Sequence, residues 1–249
     1  MVLFIMFFLG LVLGGVINAL ADDLPQRRNP QRPHCVQCGY QYGLLGWLTT
    51  TRLMALGRPC PSCGHSNSLR GPLVEIGTAV YFVFMALMLD SLDNIWLYAF
   101  YSAILILVIV IDLEHRLILH IVTFPTTLSA ILIGSFLDSH NLWYLALLGA
   151  VVGYSIFFLL YLLGQRLFGP GALGFGDVTL AMTLGAMLGL HRLPFALILG
   201  IFLGGVASLL LLVTRRGGLG SRFAYGPYLA IAGLAMLIWG MQFVGMYTE

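Results

Sequence analysis

The chain alternates between long apolar segments and shorter polar ones. Open strands would leave backbone groups unpaired in lipid, and the segments lack the period-two alternation of a membrane β-barrel. The pattern therefore predicts an all-α polytopic membrane protein. Segments long enough for a helix to cross about 30 Å of hydrocarbon predict about eight transmembrane helices, at 1–20, 73–90, 96–112, 121–137, 142–163, 178–190, 193–213 and 226–246.

The composition excludes the soluble classes of protein. Hydrophobic residues make up 59% of the 249 residues and charged residues make up 9%, whereas about 25% of a typical soluble domain is charged. Segment 1–20 has neither a positively charged start nor a small-residue cleavage site. We therefore expect it to be a retained helix rather than a cleaved signal peptide.

The arginines are distributed unevenly between the two sets of alternate loops. The chain has no lysine, and eleven of its twelve arginines lie in the loops 21–72, 113–120, 164–177 and 214–225. The opposite loops hold only Arg192. Because loops rich in basic residues remain in the cytoplasm, we expect these loops to be cytoplasmic and both termini to lie outside.

All four cysteines lie in one loop, as a pair at Cys35 and Cys38 and a second pair at Cys60 and Cys63. Two pairs of the form C-x2-C are typical of a tetrahedral Zn²⁺ site with four thiolate ligands. Two disulfides would be the better interpretation only if the topology were inverted, because the cytosol is reducing. A closed shell of four thiolates leaves no open position, so we expect a structural zinc rather than a catalytic one.

Two aspartates lie where apolar segments begin or end. Asp112 ends the apolar run 106–112, and Asp177 directly precedes another apolar stretch. Acidic residues at such positions are costly and are therefore candidate functional residues. Both fall at the predicted cytoplasmic boundary, which was derived without them. The alternative is that each aspartate only anchors a helix end at the membrane interface.

A close pair of carboxyl groups predicts hydrolytic chemistry. One group keeps a proton while the other is ionised, so one can activate a water molecule while the other acts as an acid. Asp177 follows Gly174 and Gly176 in the sequence Gly-Phe-Gly-Asp. We expect these glycines to let the backbone turn and to let the backbone of a substrate approach closely.

Taken in order, these motifs resemble those of the bacterial type IV prepilin peptidases. These are bifunctional leader peptidase/N-methyltransferases of the GxGD aspartyl protease class. The resemblance covers nearly the whole chain. It is carried by the paired cysteines and by segments 14–18, 24–25, 71–75, 111–118, 174–180 and 225–230.

The resemblance implies an enzyme of the bacterial inner membrane that removes the leader peptide of prepilins or pseudopilins at the cytoplasmic face. Asp112 and Asp177 would be the catalytic pair, and Gly174 and Gly176 would form the catalytic-loop backbone. The new N-terminal amine would then be methylated from S-adenosylmethionine, and Glu75 is a candidate for the methyl-donor site. The implied partners are prepilin substrates and lipid, without nucleic acid.

The same resemblance predicts three parts of the chain. Residues 1–20 would form the first transmembrane helix, and residues 21–72 would form a cytoplasmic zinc-binding loop associated with methyl transfer. Residues 73–249 would form a seven-helix peptidase domain in the membrane. The oligomeric state does not follow from the sequence.

The chain departs from the pattern of these peptidases at four places. Asp23 stands where an arginine is usual, Gly71 replaces a tyrosine, and Thr179 replaces a lysine. Leu119 and His120 replace a proline followed by a polar residue. Because Asp23 and Gly71 border the cytoplasmic loop, a peptidase that has lost methylation stays an open alternative.

An alternative of another class is a non-enzymatic membrane assembly factor or a transporter whose acidic pair carries protons or cations. Such a path would need further polar residues across the bilayer. Asp90, Asp93 and Asp138 lie at the far boundary, and few charges lie between the two boundaries. The sequence therefore disfavours transport.

Overall fold

In the computed structural model, the described part of the chain is almost entirely helical. It covers residues 1–29, 31–32, 34–35, 37–43, 48–49, 60–64, 69–89, 93–134, 142–169, 173–214 and 224–248. Its α-helices are α1 (Val2–Asp23), α2 (Arg70–Met88), α3 (Ile95–His115), α4 (His120–Ser129), α5 (Trp143–Phe168), α6 (Phe175–Val213) and α7 (Gly226–Thr248). A 3-10 turn, Leu24–Gln26, follows α1, and a π-helical turn, Ala130–Gly134, continues α4. The predicted all-α fold is confirmed.

Five of the described helices are long and apolar enough to cross a membrane, namely α1, α2, α3, α5 and α6. The helices α4 and α7 are also apolar, but their apolar parts, His120–Ile133 and Gly226–Gly240, are shorter. The chain is therefore an integral membrane protein. Five candidate spans do not reach the eight crossings that the sequence predicts, so that number stays a prediction.

The helix α6 contains a break that explains part of this difference. A helix of 39 residues would be about 58 Å long, nearly twice the thickness of the hydrocarbon core. Gly189 interrupts it with φ 73° and ψ 171°, a backbone region that only glycine adopts readily. The break falls where the sequence separates the predicted segments 178–190 and 193–213.

Contacts with α7 show that the chain reverses at this break. Along the second arm of α6, Gly204 packs against Tyr225 and Arg192 packs against Gly240, so this arm is antiparallel to α7. The first arm begins at Phe175, and Asp177 in its first turn lines the same cavity as Tyr225. The first arm therefore starts at the end of α7 where the second arm finishes.

The chain forms two compact units, Met1–Ile95 and Trp96–Glu249. In the first unit, α1 packs directly on α2 through small residues. A Cβ atom at Gly10 or Gly14 would lie 2.5 Å from the Cα atom of Ala79 or Glu75, respectively. Such spacing of small residues lets membrane helices approach closely. The predicted three-part division of the chain stays a prediction.

In the second unit, α5 packs on the first arm of α6 in the same way. A Cβ atom at Gly149 would overlap the carbonyl oxygen of Gly185, and one at Gly153 would overlap that of Ala181. Gly185 in turn packs on the backbone of α5, because a Cβ atom there would overlap the carbonyl oxygen of Gly149. This contact fixes the first arm of α6, which carries Asp177.

Candidate active site and metal centre

Asp112 lies in the last turn of α3, and its side chain is only 4% exposed. The helix ends there because Arg116 adopts a left-handed conformation with φ 53°, while its N–H still donates to the Asp112 carbonyl at 2.9 Å. The Asp112 carboxylate accepts a hydrogen bond from the N–H of Gly226. An acidic residue in a last turn opposes the helix dipole, so helix stability does not account for Asp112.

Asp177 lies in the first turn of α6 and is 7% exposed. Its N–H donates to the carbonyl of Gly174 at 3.1 Å, and its Oδ2 atom accepts the N–H of Gly174 at 3.2 Å. The side chain thus reaches back to the N-cap residue, as in half of a capping box. Asp177 therefore has a structural role at the helix start, whether or not it also takes part in chemistry.

The glycines near the aspartates allow close packing rather than an unusual turn. Among the described residues, the glycines with positive φ do not include Gly174 or Gly176. A Cβ atom at Gly176 would lie 2.7 Å from Cβ of Ile118, and one at Gly226 would lie 2.5 Å from Oδ2 of Asp112. These glycines leave the space in which the chain packs against itself around the carboxylates.

The two aspartates meet at one cavity of about 340 Å³. They are close enough to interact electrostatically. Three stretches of chain form the walls: the α3–α4 connection, the turn before α6 and the residues before α7. The lining residues are Asp112, Arg116, Leu117, Ile118, His120, Leu173, Gly174, Phe175, Gly176, Asp177, Ala224 and Tyr225. The structure therefore brings together the two carboxyl groups that the sequence predicts as a pair.

Threonines at the contact between α4 and α6 hold this wall of the cavity in place. Thr127 and Thr183 share a hydrogen bond of 2.9 Å between their hydroxyl groups. The Thr183 hydroxyl also lies 3.3 Å from the carbonyl of Thr123. All three side chains are buried. Buried polar groups that are paired with each other fix one arrangement of the two helices.

Two of the residues that depart from the pattern of the prepilin peptidases, His120 and Thr179, touch each other at the cavity. Nδ1 of His120 lies 3.3 Å from the Thr179 hydroxyl, which also donates to the carbonyl of Gly176 at 2.9 Å. The His120 ring packs against Phe124 and Phe175. The sequence indicated each departure singly but not their contact, because the two residues are 59 positions apart.

Tyr225 belongs to segment 225–230, which carries the resemblance, but the sequence did not place it beside the two aspartates. Its hydroxyl is buried, and no described residue forms a hydrogen bond with it. Burial and the negative charge of Asp177 both raise the pKa of Tyr225 above its usual value. The signal available in the sequence was its position, directly before Gly226 and Pro227 at the start of the last apolar segment.

The four cysteines cluster as the sequence predicts. Their sulfur atoms all lie within 4.8 Å of one another, with Cys35 and Cys63 at 3.7 Å and Cys38 and Cys60 at 3.6 Å. A tetrahedron of thiolates with Zn–S bonds of about 2.3 Å has sulfur atoms about 3.8 Å apart. The described cysteine sulfurs therefore fit a four-thiolate zinc site.

The backbone around the second cysteine pair favours a thiolate. Burial acts to raise the pKa of Cys60, but N–H groups of Cys63 and Ser62 and the thiols of Cys38 and Cys63 together lower it to about 6. The N–H of Gly64 donates to the carbonyl of Cys60 at 2.9 Å. This turn closes the pair around the sulfur atoms, as a metal-binding knuckle requires.

Glu75 is fully buried in the first unit and joins the loop to α2. Its Oε1 atom accepts hydrogen bonds from the N–H of Thr49 at 2.7 Å and from the Thr49 hydroxyl. The Asn18 side chain donates to the carbonyl of Gly71 at 3.0 Å. A Cβ atom at Gly71 would overlap the Thr49 side chain. The glycine at position 71 therefore leaves the space that Thr49 fills.

Asp23 also has a structural role in the first unit. Its side chain is 1% exposed, and Oδ2 accepts the N–H of Gln31 at 2.8 Å. Its Oδ1 atom lies 3.7 Å from Nε2 of His34. Asp23 therefore ties the segment that leads to the first cysteine pair back to the end of α1.

These features define a class of protein: an integral membrane protein with two buried carboxyl groups at one cavity and a separate cluster of four cysteines. The chain belongs to the type IV leader peptidase family, whose model matches residues 99–209. The model described as the bacterial peptidase A24 N-terminal domain matches residues 8–89. The predicted resemblance is confirmed. Because this family consists of peptidases, the chain is an enzyme, and the non-enzymatic alternative is set aside.

Similar proteins from several bacteria carry the name prepilin leader peptidase/N-methyltransferase. The Pseudomonas putida protein is 29% identical, over 93% of this chain and 88% of its own length. The Stutzerimonas stutzeri protein is 31% identical, over 91% of this chain and 76% of its own length. The Neisseria gonorrhoeae protein is 30% identical, over 86% of this chain and 74% of its own length. No solved structure matches the chain.

Proposed function

We propose that this protein is an aspartyl endopeptidase that removes the leader peptide of type IV prepilins or pseudopilins. One observation carries the proposal: Asp112 and Asp177, from different helices, are both buried at a single cavity. The names of the similar proteins support the substrate class. Gly174 and Gly176 would form the catalytic-loop backbone.

The proposed reaction needs only the two carboxyl groups and water. The ionised carboxylate removes a proton from water, and the water oxygen attacks the scissile carbonyl carbon while the other carboxyl group protonates the carbonyl oxygen. The carboxyl group that took the water proton gives it to the leaving nitrogen as the C–N bond breaks. The other carboxyl group regains its proton as the C=O bond re-forms. The products are a new carboxyl terminus on the leader and a new amine on the pilin, with one water consumed.

We place the cleavage at the cytoplasmic face of the bacterial inner membrane, with both termini outside. The arginine distribution supports this topology, since eleven of twelve arginines lie in loops on one side. Arg192, the exception, is only 2% exposed. It donates to the carbonyl of Leu188 and to the hydroxyl of Tyr98. Arg192 is therefore a packed residue rather than a solvated loop charge. Leaving it out makes the excess of loop arginines on one side of the membrane larger still.

Methylation of the new N-terminal amine, with S-adenosylmethionine as donor, is the second proposed activity. The names of the similar proteins support it. In the structure, Oε1 of Glu75 accepts hydrogen bonds from the backbone N–H and the hydroxyl of Thr49. The assignment of Glu75 to the methyl-donor site stays a prediction.

A zinc ion held by Cys35, Cys38, Cys60 and Cys63 would stabilise the loop. The spacing of the sulfur atoms supports this assignment. Since four thiolates complete a tetrahedral shell, the ion would supply folding free energy rather than an open catalytic position.

The test of the peptidase is to replace each aspartate by asparagine, which keeps the shape of the side chain but removes its acid–base chemistry. We expect Asp112→Asn and Asp177→Asn each to abolish cleavage of a co-expressed prepilin, because the two groups act as a unit. Asp93→Asn is the matched control, since Asp93 is exposed and does not line the cavity. Prepilin and mature pilin are separated by mass. Near wild-type cleavage by either aspartate variant would refute the assignment.

A further inference from the structure

The cavity contains a polar group that the carboxylate pair does not use. Tyr225 lines the cavity together with both aspartates. Its hydroxyl is buried, and it has no hydrogen-bond partner in the described part of the chain. Leaving a buried hydroxyl unpaired is unfavourable. In a native structure such a group calls for an explanation. One explanation is that a bound ligand supplies the missing hydrogen-bond partner.

The position of this hydroxyl is set by packing of the aromatic ring. Gly204 on the second arm of α6 leaves the space for the ring, since a Cβ atom there would overlap Cε2 of Tyr225. The ring of Phe157 lies beside it, with 6.2 Å between the ring centroids. The ring is therefore held by apolar contacts from α5 and α6, so the hydroxyl is positioned without a polar contact of its own.

The hydroxyl is available as a hydrogen-bond donor. Burial and the charge of Asp177 hold the pKa of Tyr225 above its usual value, so the phenol keeps its proton and can donate it in a hydrogen bond. Asp112 and Asp177 already accept backbone N–H groups, from Gly226 and Gly174 respectively. The carboxylates thus have partners of their own, whereas the phenol has none among the described residues.

We propose that Tyr225 is a third catalytic residue, whose hydroxyl donates a hydrogen bond to the scissile carbonyl oxygen of the peptide substrate. The inference rests on the proposed hydrolysis at Asp112 and Asp177. As water adds to the carbonyl carbon, negative charge develops on the carbonyl oxygen, and a prepositioned donor stabilises it. The phenol O–H bond stays intact, so the proton balance of the two carboxyl groups does not change.

The test is Tyr225→Phe, which removes the hydroxyl and retains the ring that Gly204 and Phe157 surround. Purified enzyme in detergent is assayed with a prepilin substrate for kcat, KM and the pH profile. We expect kcat to fall about 100-fold, as for the loss of one oxyanion-hole donor. KM should change little, because the bond strengthens in the transition state. Tyr154→Phe is the control, since its ring stacks on Phe158 and does not line the cavity.

A second measurement separates this role from a structural one. Binding is measured to a prepilin whose scissile amide is reduced to CH2–NH and therefore has no carbonyl oxygen. We expect Tyr225→Phe and the wild type to bind this probe equally. Weaker binding by the variant would overturn the proposal, because it would show that the hydroxyl acts on the fold or on another part of the substrate.

The outcomes also distinguish this inference from the proposed peptidase function. If Tyr225→Phe cleaves at the wild-type rate while both aspartate variants are inactive, the role of Tyr225 is wrong and the peptidase assignment stands. A displaced pH profile in Tyr225→Phe would mean that the hydroxyl acts on a carboxyl group, which also overturns the contact with substrate. If both aspartate variants remain active, the proposed function itself fails.

Discussion

At the scale of single residues, the two aspartates occupy positions of opposite character. Asp177 is at the start of a helix, where a carboxylate both caps the N–H of Gly174 and interacts favourably with the helix dipole. Asp112 is in a last turn, where the dipole disfavours it. A stability argument alone therefore explains Asp177 but not Asp112, and the burial of both at one cavity is what favours a shared chemical role.

Several contacts at the candidate sites could not be predicted from the sequence, because the paired residues are distant along the chain. The pairing of His120 with Thr179 spans 59 positions, and that of Glu75 with Thr49 spans 26 positions. Motif spacing identified the aspartates and the cysteines, since each set lies in a short recognisable pattern. It could not show that Tyr225 reaches the same cavity.

Gly71 provides a test of how the loop is attached to α2. In Gly71→Ala the new methyl group would overlap the Thr49 side chain, so Thr49 must move away from Glu75. We expect a loss of about 1–3 kcal/mol in the free energy of unfolding, as for overpacking of a buried site. Unfolding of the purified protein by SDS titration measures the change.

The control for this prediction is Gly77→Ala in the same helix. A Cβ atom at Gly77 would meet nothing within 4 Å, so the variant should be as stable as the wild type or more stable by about 0.5–1 kcal/mol, the helix preference of alanine over glycine. Equal stability of the Gly71 and Gly77 variants would contradict the packing of Thr49 on Gly71.

At the scale of helices, hydrophobic runs predicted most elements because apolar length and helix length are set by the same bilayer. The segments 96–112 and 226–246 correspond to Ile95–His115 and Gly226–Thr248. The ends were less predictable, since they depend on local geometry such as the left-handed Arg116. The sequence also placed a boundary near 190–193, and the structure locates the break at Gly189.

The break in α6 makes a prediction about Gly189. Its φ of 73° and ψ of 171° lie in a region that costs other residues about 1–3 kcal/mol. Gly189→Ala should therefore lower the stability of the protein by about that amount, measured as a lower midpoint of thermal unfolding in detergent. Gly205→Ala is the control, because Gly205 lies in the second arm of the same helix with nothing within 4 Å of its Cβ position. Similar midpoints for the two variants would argue against a strained break.

At the scale of the whole molecule, the chain divides into two compact units, and the candidate chemistry divides in the same way. The cavity with both aspartates lies within Trp96–Glu249, whereas the four cysteines and Glu75 lie within Met1–Ile95. The sequence predicted this separation of sites because the cysteines are confined to one loop. We therefore expect loss of zinc to affect the two proposed activities unequally.

The double variant Cys60→Ser/Cys63→Ser tests this division. Removal of two of the four proposed ligands should abolish the site, which we expect to hold about one Zn²⁺ per chain in the unmutated protein. A small loop has too little apolar core to fold without its metal, so the loop should unfold locally while the unit with both aspartates stays intact. Mass spectrometry of a co-expressed prepilin reports both activities, and we expect cleaved pilin without the N-terminal methyl group.

The control is Ser62→Ala, which lies between the same two cysteines and keeps all four thiolates, so its pilin should match the wild-type product. Fully methylated pilin from the double serine variant would show that the zinc loop has no part in methyl transfer. Uncleaved prepilin would show that cleavage also requires the loop. If the wild-type enzyme itself yields cleaved but unmethylated pilin, the protein is a peptidase only. Asp23 and Gly71, both buried in the first unit, would then be the first residues to suspect for the loss of methylation.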